Sequence, residues 1–441
     1  MNAQEPGLPR SRQANERLHA LVPGGAHTYA KGDDQYPQDL APVISHGSGA
    51  HVWDVDGNRY IEYGSGLRSV SLGHAHPRVT EAVRRQLDRG SNFVRPSVVE
   101  VEAAERFLAT VPTAEMVKFA KNGSDATTAA VRLARAATGR PRVAVCADHP
   151  FFSVDDWFIG TTPMSAGVPA ETDRLTVAFP YGDLAATEEV LTRYRDEVAC
   201  LVLEPATHTE PPPGYLAGLR ALADRHGCVL VFDEMITGFR WSEAGAQSLY
   251  GVVPDLSTFG KALGNGFAVS ALAGRRELME RGGLRHSDER VFLLSTTHGA
   301  ETHALAAAMA VQATYAEEGV TARLHALGER LAAGVREAAA GMGVGDHVVI
   351  RGRASNLVFA TLDEHRRPSQ EYRTLFLRRL LAGGVLAPSF VVSSALTEAD
   401  IDRTVDVVAQ ACAVYRKALD AADPAPWMGG RAVKPVFRRL A

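Results

Sequence analysis

Lys261 stands in the stretch STFGKALGNG (257–266), among glycines and apolar residues that offer its amine no charge partner. The chain has only 6 lysines, so one kept in this setting is a candidate for covalent chemistry. An apolar environment disfavours the ammonium form and so favours the neutral, nucleophilic amine. Carboxylates accompany it. CVLVFDEMITGFR (228–240) delivers Asp233 and Glu234 at the end of an apolar run, and CLVLEP (200–205) delivers Glu204 just before a proline. KNGSDATTAAVRLARAATG (121–139) sets Asn122, Gly123, Ser124 and Asp125 ahead of a helical pattern. Such a helix start can bind an anion, because its first N–H groups lack partners and Gly123 lets a ligand approach. Each feature has a plain structural reading, as strand exits into solvent or an ordinary helix cap. Together they suit pyridoxal phosphate: lysine for its aldehyde, a carboxylate for its pyridinium nitrogen, a helix N-terminus for its phosphate.

These residues need strand ends brought to one edge. Short apolar runs at 143–146, 200–203, 229–232, 256–259, 269–273 and 291–294 alternate with helical patterns such as 215–226. Strands separated by helices imply right-handed crossovers and a mainly parallel sheet. The expectation is an α/β core, residues 73–320, that binds the cofactor. Residues 49–63 read as a hairpin about Asp56-Gly57. After helices near 300–318 and 321–340, strands at 348–350 and 357–360 and helices at 370–382 and 398–420 follow. Residues 1–72 and 321–441 are therefore expected to contribute to a smaller α+β domain.

Composition is that of a globular protein: 441 residues, 46% hydrophobic and 22% charged. A net charge of -4 argues against nucleic acid or an anionic membrane as the main partner. The N-terminal residues lack the apolar core of a signal peptide, no run could span a bilayer, and a cytoplasmic location is expected. Cys146, Cys200, Cys228 and Cys412 lie far apart without CxxC pairing and read as reduced core thiols. A nucleotide P-loop fails, since Asp255 stands where its first glycine would and Ala262 where it needs Ser or Thr. His74 with His76, and His298 with Glu301 and His303, complete no zinc spacing, so no metal is expected.

The motifs resemble those of class III, fold type I, pyridoxal-phosphate-dependent aminotransferases, and within that class the glutamate-1-semialdehyde aminomutase group. They are PGG (23–25), WDVDGNRYIEY (53–63), LGHAHP (72–77), NGSDATTAAVRLARAATGR (122–140), EP (204–205), FDEMITGFR (232–240), GAQSLYGVVPDLSTFGKALGNG (245–266) and STTHGAE (295–301). The most specific element is DExxTGFR followed by GK, with Asp233 28 residues (261 − 233) before Lys261. The resemblance implies that Lys261 is the Schiff-base lysine and proton carrier and that Asp233 pairs with the pyridine nitrogen. It further implies Met235 on one ring face, Gly123 and Ser124 at the phosphate, Phe151 stacked on the ring and Glu204 behind the site. Thr296 would reach the phosphate of a neighbouring subunit, making a homodimer.

Four departures from the aminomutase pattern bear on substrate. Lys31 stands for an arginine taken to grip a carboxylate, Leu67 for a tryptophan, and Gly299-Ala300-Glu301 for Gly-Asn-Pro; residues 156–169 lack the Ser-Gly-Ser gating tract. Lysine does not reproduce the bidentate grip of arginine. The expected reaction is therefore transfer of an amino group from a donor such as glutamate to an aldehyde or ketone, such as a sugar or specialised intermediate. A 2,1-aminomutase is the alternative, and a non-catalytic cofactor-binding module a remote one. Candidate substrate contacts are Lys31, Arg68, Arg95, Phe152, His298 and Glu301.

Overall fold

Period-two alternation in short strands, with both faces covered, builds the larger of two compact units in this computed structural model, which describes residues 5–149 and 151–439. Its seven-stranded sheet comprises β1 (Met116–Ala120), β2 (Arg142–Cys146), β3 (Thr176–Phe179), β4 (Val198–Leu203), β5 (Val229–Asp233), β6 (Leu256–Phe259) and β7 (Ser270–Gly274). The spatial order is β1-β7-β6-β5-β4-β2-β3. Strands β3, β2, β4, β5 and β6 run parallel, while β7 is antiparallel to both β6 and β1. The α/β class with a mainly parallel sheet is as expected.

Alternate residues reach opposite faces. Val143, Val145, Cys200, Val202, Val229 and Val231 pack with α1 (Gly123–Thr138). Ala144, Cys146, Leu201, Leu203, Leu230 and Phe232 pack with α2 (Tyr215–His226). Such strands read as continuous apolar runs because neither face meets water. Helix α2 ends at Gly227, whose φ of 61° supplies the left-handed cap. All four cysteines are buried and free.

The expected strand at 291–294 does not form. The Val291 N–H donates to the Arg281 carbonyl at 2.9 Å, and Arg132 takes the carbonyls of Phe292 and Leu293 at 2.8 and 3.4 Å. Turn and side-chain partners satisfy this backbone in place of a ladder, with Leu293 buried and Phe292 exposed. Strands β1 and β3 were not foreseen; they are short, and Lys118 interrupts the apolar run of β1.

The larger unit comprises Leu67–Ser71 and Pro77–Thr321; the other comprises the described residues up to Gly66, Leu72–His76 and those from Ala322 onward. In the latter, strands His51–Asp54 and Arg59–Glu62 form the hairpin read from the sequence. Asp54 Oδ1 accepts from the N–H groups of Asp56 and Asn58 at 3.0 and 2.8 Å, and Gly57 turns at φ 91°. Ile44–Ser48 and Val385–Leu386 complete a four-stranded sheet, and Val348–Arg351 pairs with Val358–Thr361. Helices Gln370–Ala382 and Glu398–Ala421 fall within about one residue of their sequence expectation.

Candidate active site

Parallel register brings the chemistry to one sheet edge. Leu203 pairs with Phe232, so Glu204 and Asp233 leave adjacent strands side by side. Asp233 pairs with Thr258, and Lys261 follows β6 after Gly260. A cavity of about 580 Å³ opens at this edge. Lys261, Asp233, Met235, Gly123, Ser124, Phe151 and Phe152 line it, all within the larger unit.

Asp233 is buried, and its Oδ1 accepts from the Met235 N–H at 2.9 Å and the Thr258 hydroxyl at 3.2 Å. Its Oδ2 accepts from no described residue. Burial raises the proton affinity of this carboxyl, and the charge of Lys261 opposes the rise. A carboxylate oxygen without a protein donor in a cavity wall suits a donor from a ligand. Lys261 is half-buried, its proton affinity lowered by burial and partly restored by Glu204 and then Asp233.

The glycines flanking this chemistry have a steric cause. A Cβ on Gly260 would lie 2.6 Å from Met235 Sδ, and one on Gly123 3.2 Å from the same sulfur. Met235 thus fills the floor against two bare backbones. Lys261 itself takes φ 45°, a left-handed conformation that L-residues adopt at a cost.

Gly123 and Ser124 open α1, where first-turn N–H groups have no intrahelical acceptor. Asp125 Oδ2 turns back to the N–H of Asn122 at 2.8 Å, so the carboxylate caps the chain entering the helix. The Ser124 hydroxyl accepts from the Val154 N–H at 3.1 Å and so also ties down the 154 loop. An oxygen awaiting a cationic N–H, helix N–H groups at the wall, a bare glycine floor and a desolvated amine fit pyridoxal phosphate.

Glu204 is 6% exposed and lies behind this wall. Its carboxyl is pushed up to about 7 by burial and by Asp233, against Lys261 and Arg68. Arg68 ends four residues, Ser65 to Arg68, that all have left-handed φ of 46° to 73°. Arg240, fully buried, donates from Nε and Nη2 to the Arg68 carbonyl at 3.2 Å each, which gives the TGFR arginine a structural task.

The remaining candidates are less concentrated. Phe152 is buried among Phe158 and His149, so it packs the core as well as edging the cavity. Glu301 pairs with Lys121, a cavity-lining residue that the sequence reading passed over, and accepts from His298 at 3.0 Å. Thr296 and Arg95 are exposed and lie outside the cavity lining. Lys31 belongs to the other unit. His74 pairs with Glu62 at 3.2 Å, and no cluster of three metal-ligating side chains occurs among the described residues. Ser69, Asn122, Val154 and residues 266–269 also line the cavity, and only the adjacency of Lys121 and Asn122 to Gly123 could have flagged any of them.

Residues 32–395 match the family described as aminotransferase class-III. A glutamate-1-semialdehyde 2,1-aminomutase of Syntrophobacter fumaroxidans is 33% identical over 429 residues, covering 91% of this chain and 97% of that protein. An omega-transaminase from Sphaerobacter thermophilus superposes with a TM-score of 0.83 at 28% identity, covering 95% of this chain and 98% of that one. The FumI protein of Sphingopyxis sp. MTA144, solved with pyridoxal phosphate, gives 0.83 at 25% identity, with coverage of 95% and 99%.

Proposed function

We propose, on the premise that this chain belongs to the class-III aminotransferases, that it relocates an amino group on a small carbonyl substrate, with Lys261 carrying the proton. The cofactor is pyridoxal phosphate. When bound, it supplies an aldehyde that captures amines and a ring that accepts the electron pair left at a deprotonated carbon. Lys261 Nζ, whose neutral form burial favours, would take that proton and return it to a different carbon. Asp233 Oδ2 would accept the pyridinium N–H and keep that nitrogen cationic. The N–H groups of Gly123 and Ser124 would hold the phosphate, Met235 would support one ring face, and Phe151 would cover the other. Asp233 carries the reading: its unmatched oxygen shares a cavity wall with the reactive amine.

Two outcomes of that chemistry differ in where the amine goes. The curated aminomutase relative favours migration within one substrate. Transfer from a donor such as glutamate to an aldehyde or ketone is supported by Lys31 and Leu67 at the departing positions and by the likeness to an omega-transaminase. Thr296, exposed on its own chain, would serve the phosphate of a second copy in a homodimer. The test loads the enzyme with pyridoxamine phosphate and supplies glutamate 1-semialdehyde, then simple aldehydes, without an amino donor. Sustained turnover of the semialdehyde establishes migration. Arrest after one equivalent of aminated product establishes transfer, and no amination with any carbonyl sinks both.

A further inference from the structure

Of the charged residues that line the cavity, Lys121 alone has no part in the chemistry above. Lys261 and Asp233 serve the reaction, and Asp125 caps the chain at Asn122. Lys121 Nζ meets one acceptor among the described residues, Glu301 Oε2. An ammonium has three donors, so two remain for whatever enters the cavity. The backbone here is fixed: the Lys121 N–H donates to Asp125 Oδ2 at 3.3 Å, and the Asn122 carbonyl accepts from the Ser270 hydroxyl at 2.7 Å. Glu301 is held as firmly. Its side chain is 15% exposed, and Oε1 accepts from His298 Nδ1 at 3.0 Å, which places the proton of that ring on Nδ1. It stands at the start of the helix Thr302–Glu318, where a negative charge is favoured. A second contact brings this helix start to the cavity: the ring of Phe267, a lining residue, meets His303 edge-on at 6.5 Å. Ser91 Oγ lies 2.6 Å from His303 Nδ1, and Asn92 Nδ2 donates to the Thr297 carbonyl at 3.0 Å. The aminomutase pattern has proline where Glu301 stands, and a proline side chain offers a lysine no acceptor.

We propose that Lys121 contacts an uncharged, hydroxyl-bearing end of the carbonyl substrate, with Glu301 and His298 as its positioning residues. The inference rests on the amine chemistry of Lys261 and names the substrate class which that chemistry serves. Charge decides the class. Among the described residues no arginine lines the cavity, and Glu301 cancels the charge of Lys121. A substrate carboxylate at Lys121 competes with Glu301 for the ammonium and meets a like charge beside it. A hydroxyl oxygen takes the spare donors without that repulsion, and an analogue lacking the oxygen leaves them unmatched.

The experiment converts the holoenzyme to its pyridoxamine form and follows the return of the pyridoxal spectrum with aldehydes of equal carbon count: erythrose, butanal and succinic semialdehyde. The parent should prefer erythrose to each of the others in kcat/KM by about tenfold or more. Lys121→Met should cut the preference over butanal roughly tenfold, through KM more than kcat. Glu301→Gln should instead raise succinic semialdehyde relative to erythrose by roughly tenfold, because it leaves the lysine charge uncancelled. A role in packing alone lowers all three together. Circular dichroism checks the fold, and where Lys121→Met fails it, Glu301→Gln decides. An unchanged ratio of erythrose to succinic semialdehyde in folded, cofactor-loaded Glu301→Gln overturns the proposal, as does a parent that prefers succinic semialdehyde. So does a Lys121→Met protein that loses affinity for pyridoxal phosphate but not for pyridoxal, which assigns the lysine to the phosphate. Borohydride fixation of pyridoxal phosphate at Lys261 tests the underlying reading separately; a protein that passes it yet converts none of the aldehydes also overturns the subsite.

Discussion

Asp233 and Glu234 are neighbours in the chain, yet their oxygens meet opposite fates. Glu234 is saturated: it accepts from the N–H groups of Ala246 and Gln247 at 2.7 and 2.8 Å and from the Thr237 hydroxyl. It therefore ties the TGF turn to the short helix Ala246–Tyr250 and has nothing left for a ligand. Asp233 keeps one oxygen for the cavity. Asp233→Asn should consequently lower kcat by at least about a hundredfold, ~3 kcal/mol of barrier, measured with saturating cofactor. Lys261→Ala should abolish borohydride-fixed cofactor, read by mass spectrometry, while the circular dichroism spectrum stays native. The sequence pointed to Asp233 and Lys261 because strand exits and a DExxTGFR spacing are linear features. Lys121 and Arg240 escaped notice as site residues, since their relation to the site comes from strand adjacency and from turns. Lys121 meets Glu301, 180 residues away in the chain.

At the scale of the element, the turn after β6 is shaped by what lies beneath it. Gly260 has φ 178°, an extended value open to any residue, so its smallness answers to Met235 and not to backbone strain. Gly260→Ala should therefore destabilise by about 1–3 kcal/mol through overpacking and weaken cofactor binding. Met235→Ala in the same chain should relieve most of that loss, and a double-mutant cycle of urea midpoints would measure the coupling. The strands of the sheet centre were legible because burial on both faces makes them uniformly apolar. The segment 291–294 shows the limit of that signal: Val-Phe-Leu-Leu is as apolar as a strand, but Arg132 and a turn carbonyl claim its backbone. Composition over four residues does not say which partner a carbonyl will find.

For the molecule as a whole, buried titrating groups make stability depend on pH in opposing directions. Glu204 and Glu234 both have folded values raised to about 7, mainly by burial. An acid whose folded pKa exceeds its unfolded one leaves the folded chain holding more protons between the two values, so stability falls as pH rises through that window. His149, lowered to about 4, acts the other way between that value and its unfolded pKa. The two glutamates should thus add thermal stability to the cofactor-free protein as pH drops from about 8 to 6.5, where they take up protons and His149 does not yet, while the lowered proton affinity of Lys261 works against them. Glu234→Gln should flatten that limb in a Tm-against-pH series; a slope equal to that of the parent would refute it. The α/β class and the hairpin of the smaller unit could be read from patterning, since alternation and turn chemistry are local. The interleaving of Leu67–Ser71 and Leu72–His76 between units could not, because nothing in those residues marks a change of allegiance.

The left-handed backbone of Lys261 has a further consequence. Glycine or asparagine would sit there with less effort than any long side chain, by about 1–2 kcal/mol. Lys261→Gly and Lys261→Asn should then melt at a higher temperature than the active protein, and Lys261→Ala should melt below both. A selection for thermal endurance alone would discard this lysine, so under the proposed function its presence answers a demand made by chemistry against the preference of the fold.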